Sequence, residues 1–241
     1  MTHLDTPSKP IQHNPDYESV ENPSRLVLAP VDEPQSHAVR STLVTARKIS
    51  YAQNAEDIRV WRAFRDQDPT GLIYADVGAN EPRHLSITAS LYDQGWRGLL
   101  IEADPDHAEE LRIHRPHDTV IECAAADRDG VLTFHRVPGT GLGTLAVKEA
   151  EVAQGRGFET STFEVPTRKL SAILDEHNTS AIHFMTIDVE GAESSVLTGL
   201  DLDRHRPWVL CVETRSALPF EWCVPNSPSP IFSLLIPHPP P

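Results

Sequence analysis

Residues 72–80, Leu-Ile-Tyr-Ala-Asp-Val-Gly-Ala-Asn, form an apolar run that ends in an acid, a glycine and a polar turn. The pattern predicts a buried strand followed by a tight turn, because glycine tolerates a positive φ and a close neighbour. In open α/β sheets, ligands bind beyond the carboxyl ends of the strands, beside the switch in strand order. Gly78 is therefore a candidate position at which the backbone approaches a ligand closely. A plain turn without a ligand is the alternative.

A second apolar run, residues 98–103, carries Glu102 near its end, 24 residues after Gly78. An acid about 20 residues beyond the glycine turn accepts hydrogen bonds from ribose hydroxyls in nucleoside-binding βαβ units. A solvated acid at a strand end is the alternative for Glu102 alone. The two runs together favour a nucleoside ligand.

The turn after Val77 narrows the choice of nucleoside. It lacks the second and third glycines of the GxGxxG pattern that binds a pyrophosphate. Asp76 and Glu81 flank the turn, and their carboxylates would repel a phosphate. They suit S-adenosylmethionine, which is cationic and has no phosphate. The residues therefore favour a methyltransferase over a nicotinamide-dependent oxidoreductase.

A third segment, residues 186–193, ends a further predicted strand with Asp188 and Glu190. Residues two apart point to one face while a strand persists. Asp188 is a candidate to orient the donor, to accept a proton from a hydroxyl, or to hold a metal. Glu193 is expected in the first turn of the next helix, in a structural role. Glu213 ends the fifth main strand and is a weaker candidate on the same sheet edge.

The spacing of the histidines and cysteines does not indicate a zinc site. The 12 histidines show no HxH or HExxH spacing and the three cysteines no CxxC pair. His84 follows the glycine turn and is a candidate catalytic base, with a surface or capping role as the alternative. A site for a divalent cation stays an open alternative, because Asp188, Glu190 and Glu213 could cluster as oxygen ligands.

Strands alternate with helices from residue 48 to 214, which predicts an α/β domain with a mostly parallel sheet. Predicted helices cover 49–65, 85–93, 106–114, 170–177 and 192–200, predicted main strands cover 72–77, 98–103, 120–125, 182–189 and 208–213, and two extended pieces cover 131–137 and 162–170. Residues 1–47 hold six prolines among polar residues and predict a disordered or loosely attached tail, with a lid or partner arm as the alternative. Residues 215–241 are rich in proline, and this composition predicts an irregular C-terminal tail.

Composition excludes some partners. The formal net charge of −14 disfavours nucleic acid. The apolar run 231–236 is too short to cross a membrane, and the first ten residues do not resemble a signal peptide. We therefore expect a cytoplasmic protein without a transmembrane segment.

Five segments together resemble the FkbM family of S-adenosylmethionine-dependent methyltransferases, over residues 49–213. They are residues 50–57 (SYAQNAED), 76–80 (DVGAN), 92–98 (YDQGWRG, leading into Ile101 and Glu102), 165–170 (VPTRKL) and 187–193 (IDVEGAE). The resemblance implies a Rossmann-like class I methyltransferase fold with three α/β/α layers. It also implies methyl transfer to a hydroxyl of a sugar, glycolipid or natural product.

The resemblance also implies donor-binding residues, grouped by the part of the donor that they contact. They are Asp76, Gly78 and Asn80 at the amino-acid end, Glu102 at the ribose, residues 124–127 with Ala125 and Asp127 at the adenine, Asp188 and Glu190 at the boundary with the acceptor, and Tyr51, Gln53 and Glu56 closing over the donor. Residues 139–144 resemble the flexible loop of the family, with a solvent loop as the alternative.

The chain departs from the family after its fifth main strand. Family members continue with a helix and two more strands, whereas residues 216–241 are rich in proline. We therefore expect a sheet that lacks its last strands and leaves the fifth strand as an exposed edge. A donor-binding or inactive remnant without turnover is the alternative function.

Overall fold

The computed structural model describes residues 49–177 and 181–213 and the backbone of residues 233–235. The predictions for residues 1–47, and for all but three residues of the C-terminal tail, lie outside the described residues.

Nine strands and six α-helices follow one another along the described chain. The strands are β1 Ile73–Val77, β2 Arg97–Glu102, β3 Thr119–Glu122, β4 Ala124–Ala126, β5 Gly130–Arg136, β6 Ser161–Lys169, β7 Phe184–Ile187, β8 Val209–Val212 and β9 Ser233–Leu235. The helices are α1 Glu56–Ala63, α2 Ala89–Asp93, α3 Pro105–His114, α4 Val147–Gly155, α5 Leu170–Glu176 and α6 Glu193–Thr198, with a short 3₁₀ turn at Pro69–Gly71.

Six of the strands form the main sheet, in the order β3-β2-β1-β7-β8-β9. The first five are parallel to their neighbours, and β9 is antiparallel to β8. Strands β2 and β3 follow β1 on one side of it in the sheet, and β7 and β8 lie on its other side. The strand order therefore switches between β1 and β7. This topology confirms the predicted mostly parallel, Rossmann-like α/β fold.

Side chains that alternate along β1 supply both faces of the sheet, as a parallel sheet between helices requires. Ala75 and Val77 join a buried cluster with residues of α5 and α6. Tyr74 joins a second cluster with residues of α1, α2 and α3. The three α/β/α layers predicted from the sequence follow from this alternation. None of the helices in the described part of the chain is long and apolar enough to span a membrane.

Helix α1 begins at Glu56, seven residues later than predicted. The preceding segment uses its polar groups to hold the start of the helix. Ser50 Oγ and the Tyr51 amide donate to the Asp57 carboxylate at 2.7 and 3.1 Å, and the Asn54 amide donates to Glu56 at 3.0 Å. These contacts tie residues 50–54 to the first turn of the helix.

The predicted strand 120–125 is divided between two sheets. Strand β3 ends at Glu122, Cys123 donates its amide to Glu102 O at 3.0 Å, and β4 then pairs with β6 in a three-stranded sheet of order β4-β6-β5. Helix α4, between β5 and β6, was not predicted. Its buried residues are Ala150 and Ala153, and two alanines give little hydrophobic periodicity.

The expectation that the fifth main strand would be an exposed edge is wrong. Strand β9 pairs with it, with Cys211 opposite Leu234. Residues 231–236 contain no proline, so this short run keeps the amides that a strand needs, although prolines flank it at 230 and 237.

Candidate functional site

A cavity of about 280 Å³ opens at the carboxyl ends of the central strands, where the strand order switches. Its wall includes most of the residues singled out from the sequence: Gln53, Glu56, Asp76, Gly78, Asn80, His84, Glu102, Ala125, Asp188, Glu190 and Glu213. Segments far apart in the chain thus converge on one site.

Tyr51 and Asp127, which were also predicted to contact a ligand, do not line this cavity. The Tyr51 hydroxyl donates to Asp93 at 3.2 Å and accepts from Arg83 at 2.8 Å. The Asp127 amide donates to Ser195 Oγ at 3.1 Å, at helix α6. Both residues support neighbouring segments in the described structure, and their contact with a ligand stays a prediction.

Gly78 brings the ends of β1 and β7 together. Its φ is 83°, and a Cβ at this position would lie 1.8 Å from the carbonyl oxygen of Asp188. The Asp188 amide donates to Val77 O at 2.9 Å across the same junction. Only glycine fits here, so Gly78 allows the close approach of the two strand ends that line the cavity.

Glu102 is held rigidly at the end of β2. Its side chain is buried, with the residue only 5 % exposed. One carboxylate oxygen accepts from the Asn80 amide and the other from the Asp104 amide, both at 2.7 Å. Burial raises the pKa of Glu102 above its usual value, and these two amides oppose that rise. Each oxygen keeps a lone pair that can accept a ligand hydroxyl.

Asp76, at the end of β1, connects the cavity to a buried polar network. Its carboxylate accepts from Thr88 Oγ1, and Thr88 Oγ1 accepts from Arg115 at 3.0 Å. Arg115 is 2 % exposed and also pairs with Asp118 at 2.9 Å. Burial raises the pKa of Asp76, whereas Thr88 and Arg115 act in the opposite direction. Arg115, directly after helix α3, was not predicted, because an arginine at the end of a helix with an ordinary polar composition shows no local pattern.

Asp188, Glu190 and Glu213 form a cluster that we call the acidic triad. One carboxylate oxygen from each residue lies within 4.8 Å of the others. Burial raises the pKa of Asp188 well above its usual range, and the adjacent Glu213 and Glu190 carboxylates raise it further. The triad therefore favours any ligand that brings positive charge.

The turn that carries Asp188 and Glu190 is fixed from two sides. Glu193 Oε1 accepts from the amides of Gly191 at 2.9 Å and Val189 at 3.3 Å. Thr144 Oγ1 donates to the carbonyl oxygen of Glu190 at 2.8 Å. Glu193 begins α6, in the structural role predicted from the sequence.

Three buried acceptor atoms in the cavity wall have no hydrogen-bond partner among the described residues. They are Glu56 Oε1, Asn80 Oδ1 and Asp188 Oδ1. Buried polar atoms in native proteins are nearly always paired, so these acceptors indicate a ligand that supplies donors. An ammonium group and ribose hydroxyls are donors of this kind. The residues present therefore fit a cationic nucleoside that bears an amino acid.

Strand β5 and the loop after it close one side of the cavity, with Phe134, Arg136 and residues 140–143 in its wall. A Cβ on Gly141 would lie 2.3 Å from Asn80 Nδ2, so the loop packs directly on the turn after β1. The sequence offered two interpretations of residues 139–144, and the structure supports the loop at the site. The sequence did not predict that β5 would line the cavity, because the position of β5 depends on its pairing with β6 in the second sheet.

A switch-point cavity that favours positive charge, with a fixed acid at the end of β2, defines a Rossmann-like methyltransferase rather than a dinucleotide-binding protein. Comparison with protein-family models agrees. Residues 76–236 match the model described as the methyltransferase FkbM domain, and the chain belongs to this family. No curated protein and no solved structure matches the chain.

Proposed function

We propose that this protein is an S-adenosylmethionine-dependent O-methyltransferase that acts on a hydroxyl of a sugar, glycolipid or natural product. The observation that carries the proposal is the buried Glu102 carboxylate, fixed by two amides at the switch-point cavity. The donor, when bound, supplies an electrophilic methyl group on a cationic sulfur. Family membership supports methyl transfer, and the acceptor class comes from the resemblance described above.

The cavity wall offers a place for each part of the donor. Glu102 accepts hydrogen bonds from the ribose hydroxyls. Asp76, Asn80 and Glu56 face the ammonium, which provides donors for the two buried acceptor atoms of Asn80 and Glu56. Ala125 borders the adenine. Gln53 covers the donor from the segment before α1.

Tyr51 and Asp127 act from outside the cavity wall in this proposal. Arg83 forms a two-point ion pair with Asp93, at 2.8 and 2.9 Å, and also donates to the Tyr51 hydroxyl. These contacts hold the segment that carries Gln53. Asp127 fixes the end of β4 next to Ala125 through Ser195.

Asp188 and Glu190 lie where the donor would meet the acceptor. Methyl transfer requires the acceptor oxygen in line with the sulfur–methyl bond at near-attack distance. We assign Asp188 to orienting the acceptor hydroxyl or taking its proton, and His84, an exposed residue of the wall, as the second candidate base. If Asp188→Asn kept both donor affinity and turnover, the role given to Asp188 would be wrong.

Calorimetric titration with S-adenosylhomocysteine tests the donor site. We expect saturable binding by the wild type and at least a tenfold loss in Glu102→Ala. Glu122→Ala is the matched control, because Glu122 is the register partner of Glu102 on β3 and is exposed. Absence of binding by folded wild type, or equal losses in both variants, would contradict the proposal. NADH binding in a parallel titration would favour an oxidoreductase.

Turnover is tested separately with S-adenosylmethionine and a panel of hydroxylated acceptors. We expect one acceptor to gain a methyl group by mass spectrometry. Donor binding without turnover on any acceptor would favour the donor-binding protein without activity.

A further inference from the structure

One guanidinium serves two buried carboxylates beside the cavity. Arg115, which is 2 % exposed, donates from Nε to Asp118 at 2.9 Å and from Nη2 to Thr88 Oγ1 at 3.0 Å. Thr88 in turn donates to Oδ2 of Asp76, which is 5 % exposed and lines the cavity. These four residues hold two acids and one cation, so a second positive charge at Asp76 would balance the group.

Further hydrogen bonds hold the guanidinium in one orientation. Arg115 Nη2 also donates to the Tyr74 hydroxyl at 2.6 Å, and that hydroxyl donates to Asp118 at 2.6 Å. The other oxygen of Asp118 accepts from the Gly98 amide at 2.9 Å. Arg115 therefore cannot turn away from Thr88 without leaving several buried polar groups unpaired, which is costly.

The hydroxyl of Thr88 has one hydrogen, and Arg115 decides where it points. A guanidinium only donates, so the hydroxyl accepts from Arg115 and gives its own hydrogen to Asp76 Oδ2. Oδ2 is then the acceptor atom of the Asp76 carboxyl group. A proton on Asp76 therefore belongs on Oδ1, the oxygen that Thr88 does not use.

We propose that Arg115 is a positioning residue of the donor site: acting through Thr88, it leaves Asp76 Oδ1 to the ammonium of the methyl donor, and Asp76 gives up a proton from that oxygen when the donor binds. The inference rests on the proposed function. An ammonium and a carboxyl proton both need the same oxygen, so they exclude each other. The proton goes to solvent, and the ammonium takes its place beside the carboxylate.

The charges around Asp76 agree with this exchange. Burial raises the pKa of Asp76, Thr88 and Arg115 lower it, and Asp118 raises it, so loss of Thr88 or Arg115 raises it further. The neighbouring elements bring other titratable groups to the cavity wall: Glu56 on α1, His84 in the loop after β1, Glu102 on β2, Asp104 and His107 at α3, and Asp188 after β7. Neither Thr88 nor Arg115 hydrogen-bonds to any of these, so a shift caused by changing either residue reports on Asp76.

Calorimetric titration with S-adenosylhomocysteine, in pairs of buffers with different ionisation enthalpies, counts the protons released on binding. The range from about pH 7.5 to about pH 4.5 lies below the ordinary pKa of an α-amino group, about 8, so the ammonium keeps its charge. As the pH falls, we expect the wild type to release up to one proton. Its affinity should fall by up to about tenfold for each pH unit below the pKa of Asp76.

Two variants and two controls separate positioning from packing. Thr88→Val and Arg115→Gln should move the pH profile of affinity upward, by about one unit for Arg115→Gln, the lower end of the shift caused by a nearby opposite charge. Thr88→Ser keeps the hydroxyl, and Arg112→Gln removes an exposed arginine of α3. Both controls should keep the wild-type profile. Thermal unfolding confirms that each variant is folded.

Each outcome decides the inference. Binding of S-adenosylhomocysteine with one affinity at every pH and no proton released overturns the inference alone. Loss of affinity by the same factor at every pH in Thr88→Val, without a shift of the profile, also overturns it, since packing alone would explain that loss. If Arg115→Gln does not fold, Thr88→Val decides, because Thr88 carries the effect of Arg115. A folded wild type that does not bind at about pH 7.5 overturns the proposed function and the inference with it.

Discussion

Thr88 links two buried charged groups through one hydroxyl. It donates to Asp76 and accepts from Arg115. Thr88→Val keeps the shape but leaves both charged groups without that partner. We expect the free energy of unfolding to fall by about 1–3 kcal/mol, the range for unsatisfied buried polar groups. Denaturant unfolding measures it, with Thr88→Ser as the control that keeps the hydroxyl. Equal losses in the two variants would show that packing alone matters.

The raised pKa of Asp76 makes stability depend on pH. Between the ordinary value of 3.8 and the raised pKa, the folded state keeps a proton that the unfolded state has lost. The free energy of unfolding should therefore fall as pH rises through this window, by about 1.4 kcal/mol for each pKa unit. Unfolding curves at several pH values for wild type and Asp76→Asn test this. The variant should gain stability relative to wild type as pH rises, and parallel profiles would refute the prediction.

The turn between β1 and α2 depends on Gly78. Ala at this position would need a left-handed backbone, at a cost of about 1–2 kcal/mol, and its Cβ would meet the Asp188 carbonyl. We expect Gly78→Ala to lose more than about 2 kcal/mol of stability and to lose S-adenosylhomocysteine binding. Gly71→Ala is the control, since a Cβ there meets no atom within 4 Å. Similar stability of the two variants would contradict the close approach of β1 and β7.

Strand β9 covers the edge of β8. A chain that ends at residue 230 should lose about 1–3 kcal/mol, on the order of two to three net backbone hydrogen bonds, and should associate through the open edge. A chain that ends at residue 237 keeps β9 and should behave as the full chain does. Thermal unfolding and light scattering compare them. Equal behaviour of the two chains would mean that β9 does not protect the edge.

The elements predicted well are those with a strong local signal. Strands β1, β2 and β7 are short apolar runs with an acid at the carboxyl end or directly after it. Because the strands are parallel, these acids meet at one edge of the sheet. Helix α4 was missed because its two buried alanines give little hydrophobic periodicity. Residues 131–137 and 162–170 were predicted to be extended, but their pairing with β4 in a second sheet was not, because it depends on long-range contacts. Strand β9 was missed because three residues are too few to show a pattern.

At the site, the sequence predicted residues at the ends of strands, such as Asp76 and Glu102, and the residue directly after a strand, Asp188. It could not predict Arg115, which reaches Thr88 across 27 positions in the chain. It also could not place Tyr51 and Asp127 relative to the cavity, since their positions depend on contacts with Asp93 and Ser195. Long-range contacts between ordinary polar residues leave no local trace in a sequence.

The molecule as a whole carries a formal net charge of −14, which creates a field that attracts cations. S-adenosylmethionine has one more positive charge than S-adenosylhomocysteine, so the pair isolates the effect of that field. Raising the ionic strength from 0.01 to 0.15 M shortens the Debye length from about 30 to about 8 Å. We expect the affinity for S-adenosylmethionine to fall about threefold more than that for S-adenosylhomocysteine, the equivalent of about one kT from a potential of several kT. Calorimetric titrations of both ligands at the two salt concentrations measure the ratio. Identical salt dependence would mean that the sulfonium does not sense the net charge, and that short-range contacts alone select the donor.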